Sequence, residues 1–198
     1  MRLGLYGGTF DPPHLGHLVA ASEACDALGL HRLLWVPAAV HPLKGGRVRT
    51  PAALRLEMVR AAIAADPRFE ADDLELWREG PSYTVDTLRQ VRARHPEAEI
   101  FFLTGADNLA DLPRWREPDE IARIATLAVV SREGETLPDD PPWPAVHVPV
   151  TRVDVSSTLV RRRAAEGRTL RYLVPDAVRA VIERERLYRE PSPQDRIR

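Results

Sequence analysis

Cysteine and lysine are nearly missing from this sequence: Cys25 and Lys44 occur once each among 198 residues. A lone cysteine has no partner for an internal disulfide, which points to a reducing compartment rather than a cross-linked secreted domain. Long apolar runs are missing too. Apolar stretches such as 100–103 and 125–130 fall far short of the roughly 20 residues that span a bilayer. The opening segment reaches Gly7 and Gly8 before a signal-peptide apolar region can form. The expected location is the cytoplasm. Neither sign of charge is in excess, because 28 Lys+Arg against 29 Asp+Glu leave a net charge of -1. No broad positive field is therefore offered to nucleic acid or an anionic membrane, and any phosphate chemistry must rest on a local site. Lys44 gains little interest from being alone, since a GC-rich genome would favour arginine in the same way.

What is present is a chain with 44% hydrophobic residues, long enough for one domain over 1–190, followed by a tail over 191–198 expected to be disordered. A short apolar strand over 2–6 runs into Gly7-Gly8-Thr9-Phe10-Asp11-Pro12-Pro13, which reads as a loop. The spacing of Leu15, Leu18, Val19, Ser22, Cys25 and Leu28 predicts a helix over 14–28, closed by Gly29. A buried strand over 32–36, stopped by Pro37, completes a βαβ unit. After a Pro, Gly and basic loop at 38–50, the pattern predicts a helix over 52–65 with Leu54, Met58, Val59 and Ile63 on one face. A half-exposed strand over 69–77, a helix over 83–95 and a buried strand over 99–104 ending at Gly105 come next. A helix over 118–124 and strands over 126–131 and 146–148, around a Pro/Asp loop at 137–144, lead to a serine-capped helix over 156–166. Pro175 opens a last helix. This alternation predicts an α/β fold, a doubly wound, mainly parallel sheet with helices on both faces.

In such a sheet ligands collect at the carboxyl ends of the strands near the topological switch, and the first strand-to-helix turn is the usual phosphate site. Gly7 and Gly8 let backbone N–H groups approach an anion, and the next helix adds the positive end of its dipole. The loop is neither G-x-G-x-x-G nor G-x-x-x-x-G-K-[ST], which disfavours hydride transfer and ordinary P-loop hydrolysis. His14 and His17, three apart at the helix start, present two possible cations to this pocket, with Gly16 expected to leave room for a ligand between them. A zinc site is not expected, since H-E-x-x-H, a cysteine cluster and a well-spaced third ligand are missing. Taken alone, the two histidines could equally cap or pack the helix.

The stretch Gly7-Gly8-Thr9-Phe10-Asp11-Pro12-Pro13-His14-Leu15-Gly16-His17 resembles the signature of the nucleotidyltransferase superfamily with the (H/T)-x-G-H motif, and specifically that of the bacterial nicotinate mononucleotide adenylyltransferase family. Ser82-Tyr83-Thr84-Val85-Asp86-Thr87-Leu88 resembles the family's S-Y-T-x-D-T-L segment. Gly105-Ala106-Asp107 with Trp115 resembles its G-x-D and tryptophan segment, and Val155 to Arg161 its I-S-S-T-x-I-R motif. The chain departs from the family at His41-Pro42-Leu43-Lys44, where P-P-H-K is usual. Leucine cannot supply an imidazole, so any role of that histidine is lost or passes to His41.

The resemblance implies a Rossmann-like fold and transfer of the adenylyl group of ATP to nicotinate mononucleotide, giving deamido-NAD and pyrophosphate. Mg²⁺ would come with ATP and need no dedicated protein site, and no covalent enzyme intermediate is expected. Catalytic roles fall on His14, His17, Lys44 and Arg161. ATP contacts are carried over to Gly7, Gly8, Thr9, Phe10, His17, Gly105, Asp107, Ser156, Ser157, Thr158 and Arg161. The nicotinate nucleotide falls to Thr9, Lys44, Tyr83, Thr84, Asp86 and Trp115. Several of these residues have plainer readings: Ser156 and Thr84 as helix caps, Asp86 as a first-turn carboxylate, Trp115 as packing. A homo-oligomer is compatible with the resemblance, whereas a nucleic-acid partner is not expected. Two other functions remain: the same chemistry on nicotinamide mononucleotide or phosphopantetheine, and a non-catalytic nucleotide-binding module on the same fold.

Overall fold

The computed structural model describes residues 1–39, 50–109, 111–132 and 143–189. Lys44, His41, most of the loop expected at 137–144 and the tail at 191–198 lie outside the described residues. In chain order the elements are β1 (Arg2–Gly8), α1 (Leu15–Leu28), β2 (Arg32–Pro37), α2 (Ala52–Ile63), β3 (Phe69–Ala71), α3 (Thr84–Arg94) and β4 (Glu99–Gly105). A short α4 (Ala106–Leu109), α5 (Pro118–Ile124), β5 (Thr126–Arg132), β6 (Ala145–Val150), α6 (Ser157–Ala165) and α7 (Asp176–Arg184) follow.

The six strands form one sheet in the order β3-β2-β1-β4-β5-β6, and each neighbouring pair is parallel. Because β2 and β3 step outward on one side of β1 and β4 returns on the other, the carboxyl ends of β1 and β4 flank the switch point. Period-two alternation along the strands feeds two cores. Leu33, Trp35, Phe101, Leu103 and Val148 pack with Ala21, Met58, Val160 and Val178 from α1, α2, α6 and α7. On the opposite face Leu5, Leu34, Phe102 and Leu127 meet Val85 and Leu88 of α3 and Ile121 of α5. The expected sheet with helices on both faces is therefore the observed one.

Some boundaries differ from expectation for local reasons. β3 ends at Ala71 rather than at Trp77, because the Asp72 carboxylate accepts the Leu74 N–H (2.9 Å) and turns the chain out of the ladder. Gly7 and Gly8 are not loop residues: β1 continues through them, and Gly8 pairs with Pro37. On α1 the buried stripe is Ala21, Ala24, Cys25 and Leu28, while Leu15, Leu18 and Val19 are only half-buried. On α2 Leu54 is half-buried too, and the buried stripe includes a charged residue, Arg55.

Candidate active site

At the switch point a cavity of about 360 Å³ opens between the ends of β1 and β4. Its first wall is the turn from β1 into α1. A Cβ on Gly8 would lie 2.8 Å from the Phe10 ring, so glycine is needed there for that ring to fold back. Phe10 adopts φ 48°, a left-handed conformation that a bulky residue rarely accepts. Its ring is buried edge-on against Tyr6 (5.4 Å) and His17 (5.2 Å). Three carbonyls of the turn are taken up by side-chain donors from elsewhere in the chain. Arg55 Nη1 donates to the Thr9 carbonyl (2.8 Å), Arg161 Nη1 to that of Asp11 (2.7 Å), and Ser157 Oγ to that of Pro12 (2.9 Å). From beyond α7 the Tyr188 hydroxyl donates to the Asp11 carboxylate (2.6 Å).

The two histidines stack, with ring centroids 3.7 Å apart. His14 is the N-cap of α1, and its backbone N–H donates to Nδ1 of His17 (3.2 Å). In the neutral ring this bond makes Nε2 the proton-bearing nitrogen of His17. The His17 N–H goes to the His14 carbonyl (3.0 Å), and the buried Nδ1 of His14 has no partner among the described residues. Burial of His14, 7% exposed, pushes its pKa down to about 4. Of the two possible cations, His14 is uncharged at neutral pH, because its imidazole is shut away from water. Gly16 does not make room for a ligand either. A Cβ there would meet the His14 ring at 3.2 Å and the Val155 carbonyl at 3.5 Å, so its absence accommodates protein.

The second wall is the start of α3 together with Trp115. Ser82 Oγ accepts the Ala39 N–H (3.0 Å), tying this turn to the end of β2. Glu75, 6% exposed, accepts hydrogen bonds from the Thr87 and Ser82 hydroxyls, and burial pushes its carboxyl above the usual range. The Trp115 ring meets Phe102 edge-on at 5.9 Å. The Arg116 guanidinium lies 4.9 Å from the centre of the Tyr83 ring. Two buried polar atoms on this side, Thr104 Oγ1 and Trp115 Nε1, have no partner among the described residues.

Of the residues singled out in the sequence, Gly7, Gly8, Thr9, Phe10, His17, Tyr83, Thr84, Gly105, Trp115 and Ser157 border the cavity. His14 stands behind His17. Ser156 caps α6, its Oγ accepting the Leu159 N–H (3.1 Å). Arg161 Nη2 donates to Thr158 Oγ1 (3.1 Å) and its Nη1 to the Asp11 carbonyl (2.7 Å), which holds both residues beside the turn. Asp86 lies in the first turn of α3 and pairs with Arg116 (3.6 Å). Asp107 falls in α4, just past the end of β4. Arg55, Glu75, Thr104 and Arg116 are not among the residues that the sequence motifs point to. Arg55 carried a signal in its helical spacing with Val59 and Ala62, whereas Glu75 was masked by an expected half-exposed strand.

The sequence pattern of the family described as cytidylyltransferase-like matches residues 5–163. A relative from Thermus thermophilus named "probable nicotinate-nucleotide adenylyltransferase" is 51% identical over 96% of this chain and 100% of its own. A relative of the same name from Geobacillus thermodenitrificans is 44% identical over 94% of this chain and 86% of its own. Among solved structures, Plasmodium falciparum nicotinic acid mononucleotide adenylyltransferase complexed with APC superposes with a TM-score of 0.78 at 17% identity, covering 94% of this chain and 96% of that one. The last likeness speaks for the fold alone. With the family pattern spanning most of its length and full-length relatives near half identity, the chain belongs to the cytidylyltransferase-like family and, within it, to the nicotinate-nucleotide adenylyltransferases.

Proposed function

We propose that this protein transfers the adenylyl group of ATP to nicotinate mononucleotide, forming deamido-NAD and pyrophosphate in NAD biosynthesis. The observation that carries the reading is the His14 N–H bond to Nδ1 of His17, which leaves Nε2–H of a cavity-lining imidazole as a donor beside the α1 N-terminus. An oxygen of the acceptor's 5'-phosphate attacks the α-phosphorus of ATP. As that bond forms, the bond to the bridging oxygen breaks, and its electron pair leaves with pyrophosphate. The protein's work is alignment and charge stabilisation. His17 Nε2–H and the Gly7 to Phe10 backbone serve the reacting phosphate. The α6 N-terminus with Ser156 to Thr158, Arg161 and Lys44 serve the rest of the triphosphate.

Trp115 offers a flat face to the pyridine ring, Tyr83 and Thr84 a helix start to its carboxylate, and Asp107 a carboxylate to a ribose hydroxyl. Mg²⁺ enters as part of the Mg-ATP substrate, held by phosphate oxygens. Among the described residues no group of three or more His, Cys, Asp or Glu side chains is arranged to hold an ion. Pyrophosphate release with Mg-ATP, offering nicotinate mononucleotide, nicotinamide mononucleotide and phosphopantetheine separately, tests the reading. The expected result is a kcat/KM at least roughly tenfold higher for nicotinate mononucleotide. Silence with all three acceptors despite ATP binding would leave a nucleotide-binding module.

A further inference from the structure

Arg55 is 1% exposed, in a stripe of α2 that otherwise carries Met58, Val59 and Ala62. A guanidinium in such a place is costly and persists only where its donors are used. All three of its nitrogens donate to backbone carbonyls: Nη1 to Thr9 (2.8 Å), Nη2 to Ala39 (3.2 Å) and Nε to Thr50 (3.2 Å). Among the described residues no carboxylate bonds to it directly, although Asp11 and Glu75 lie near enough to favour its charge against the opposing effect of burial. The three carbonyls belong to the phosphate-facing turn, the chain just after β2 and the chain just before α2.

The consequence for the cavity follows from the geometry of one peptide. In a trans peptide the carbonyl of Thr9 and the N–H of Phe10 point in opposite directions. With the Thr9 carbonyl drawn inward by Arg55, the Phe10 N–H is turned to the other side of the turn, where Thr9 and Phe10 border the cavity. The turn needs such restraint, because Phe10 sits at φ 48° and the following Pro12 and Pro13 have carbonyls but no N–H to offer an anion. A free turn would show phosphate an excess of carbonyl oxygen.

We propose that Arg55 is a positioning residue for the transfer reaction, holding the Thr9–Phe10 peptide with its donor toward the reacting phosphate through the contact with the Thr9 carbonyl. The inference rests on the adenylyl-transfer reading. It concerns orientation in the transition state, so its signature is a loss in kcat with little change in either KM.

The test compares wild type with Arg55→Lys and Arg55→Met, by melting temperature and by steady-state kinetics with Mg-ATP and nicotinate mononucleotide each varied. Expected is a fall in kcat of about 10- to 100-fold per folded molecule in both variants, with each KM within about threefold of wild type. Lysine keeps the charge but not the three-pronged reach, so it restores stability better than kcat. A lowered melting temperature with unchanged kcat, a change confined to KM, or loss of the fold in both variants would assign Arg55 to stability or binding and overturn the inference. Wild-type protein releasing no pyrophosphate overturns the functional reading itself. An active wild type with equally active variants overturns only the role of Arg55.

Discussion

At the β1 end of the cavity the bordering groups are the Gly7 to Phe10 backbone and one of two stacked imidazoles, with the turn braced by Arg55, Arg161, Ser157 and Tyr188. At the β4 end they are side chains, and two of them, Thr104 and Trp115, hold buried polar atoms without a partner among the described residues. The first wall commits its polar groups to shaping itself before any ligand arrives, which suits a reacting centre that must be aligned to fractions of an ångström. The second keeps polar groups in reserve, which suits discrimination between one base and another. His14 Nδ1, unpartnered at the first wall, is the exception.

The sharpest way to break this contrast is His17→Ala. Loss of a preorganised donor to the reacting phosphate is expected to lower kcat about a thousandfold in a variant that still folds, with a modest fall in melting temperature because the His14 N–H loses its acceptor. Near-normal turnover would remove His17 from the mechanism.

Next in size is a pH effect on stability from its neighbour. His14 has a folded pKa of about 4 against an ordinary value of 6.5. As pH falls below 6.5 the unfolded chain takes up a proton that the folded chain refuses. Stability attributable to His14 is therefore full above pH 6.5, declines down to about pH 4 and is then level. The total loss is about 3 kcal/mol. Denaturant unfolding of wild type and His14→Gln between about pH 7 and 4 measures it as the difference in slope, and equal slopes would refute the burial argument.

On the second wall Trp115→Ala is expected to raise KM for the pyridine nucleotide about tenfold while leaving KM for ATP within about twofold. A selective effect on ATP would move the stacking assignment elsewhere. The smallest effect belongs to Thr104→Val. Removing an unpartnered buried hydroxyl should leave stability unchanged or slightly higher, and weaken one substrate by about two- to fivefold. Unchanged kinetics would show that the hydroxyl is not reserved for a ligand.

How much was readable in the sequence follows the same division. The order of helices and inner strands came from apolar patterning, because strands such as β2 and β4 are buried on both faces and read as near-continuous apolar runs, whereas the edge strands β3 and β6 are partly exposed and read less clearly. The first wall was visible as a contiguous stretch, Gly7 to His17, since backbone turns and helix starts are written locally. The hold of Arg55 and Tyr188 on that stretch was not visible there. They act on that stretch from sequence separations of 46 and 177 residues, and only folding brings them near. Glu75 escaped because Asp72 turns the chain where a strand was expected, and that turn carries Glu75 into the cavity wall. The charge of His14 also needed the fold, since burial rather than residue type decides it.

The central claim, a single in-line transfer at the switch point, is tested most directly by following ATP labelled at the α-phosphate through one turnover with nicotinate mononucleotide. The label should pass straight into the dinucleotide, with unlabelled pyrophosphate released and none of the label retained on the protein. Label appearing on the protein, or leaving in ADP, would contradict the account.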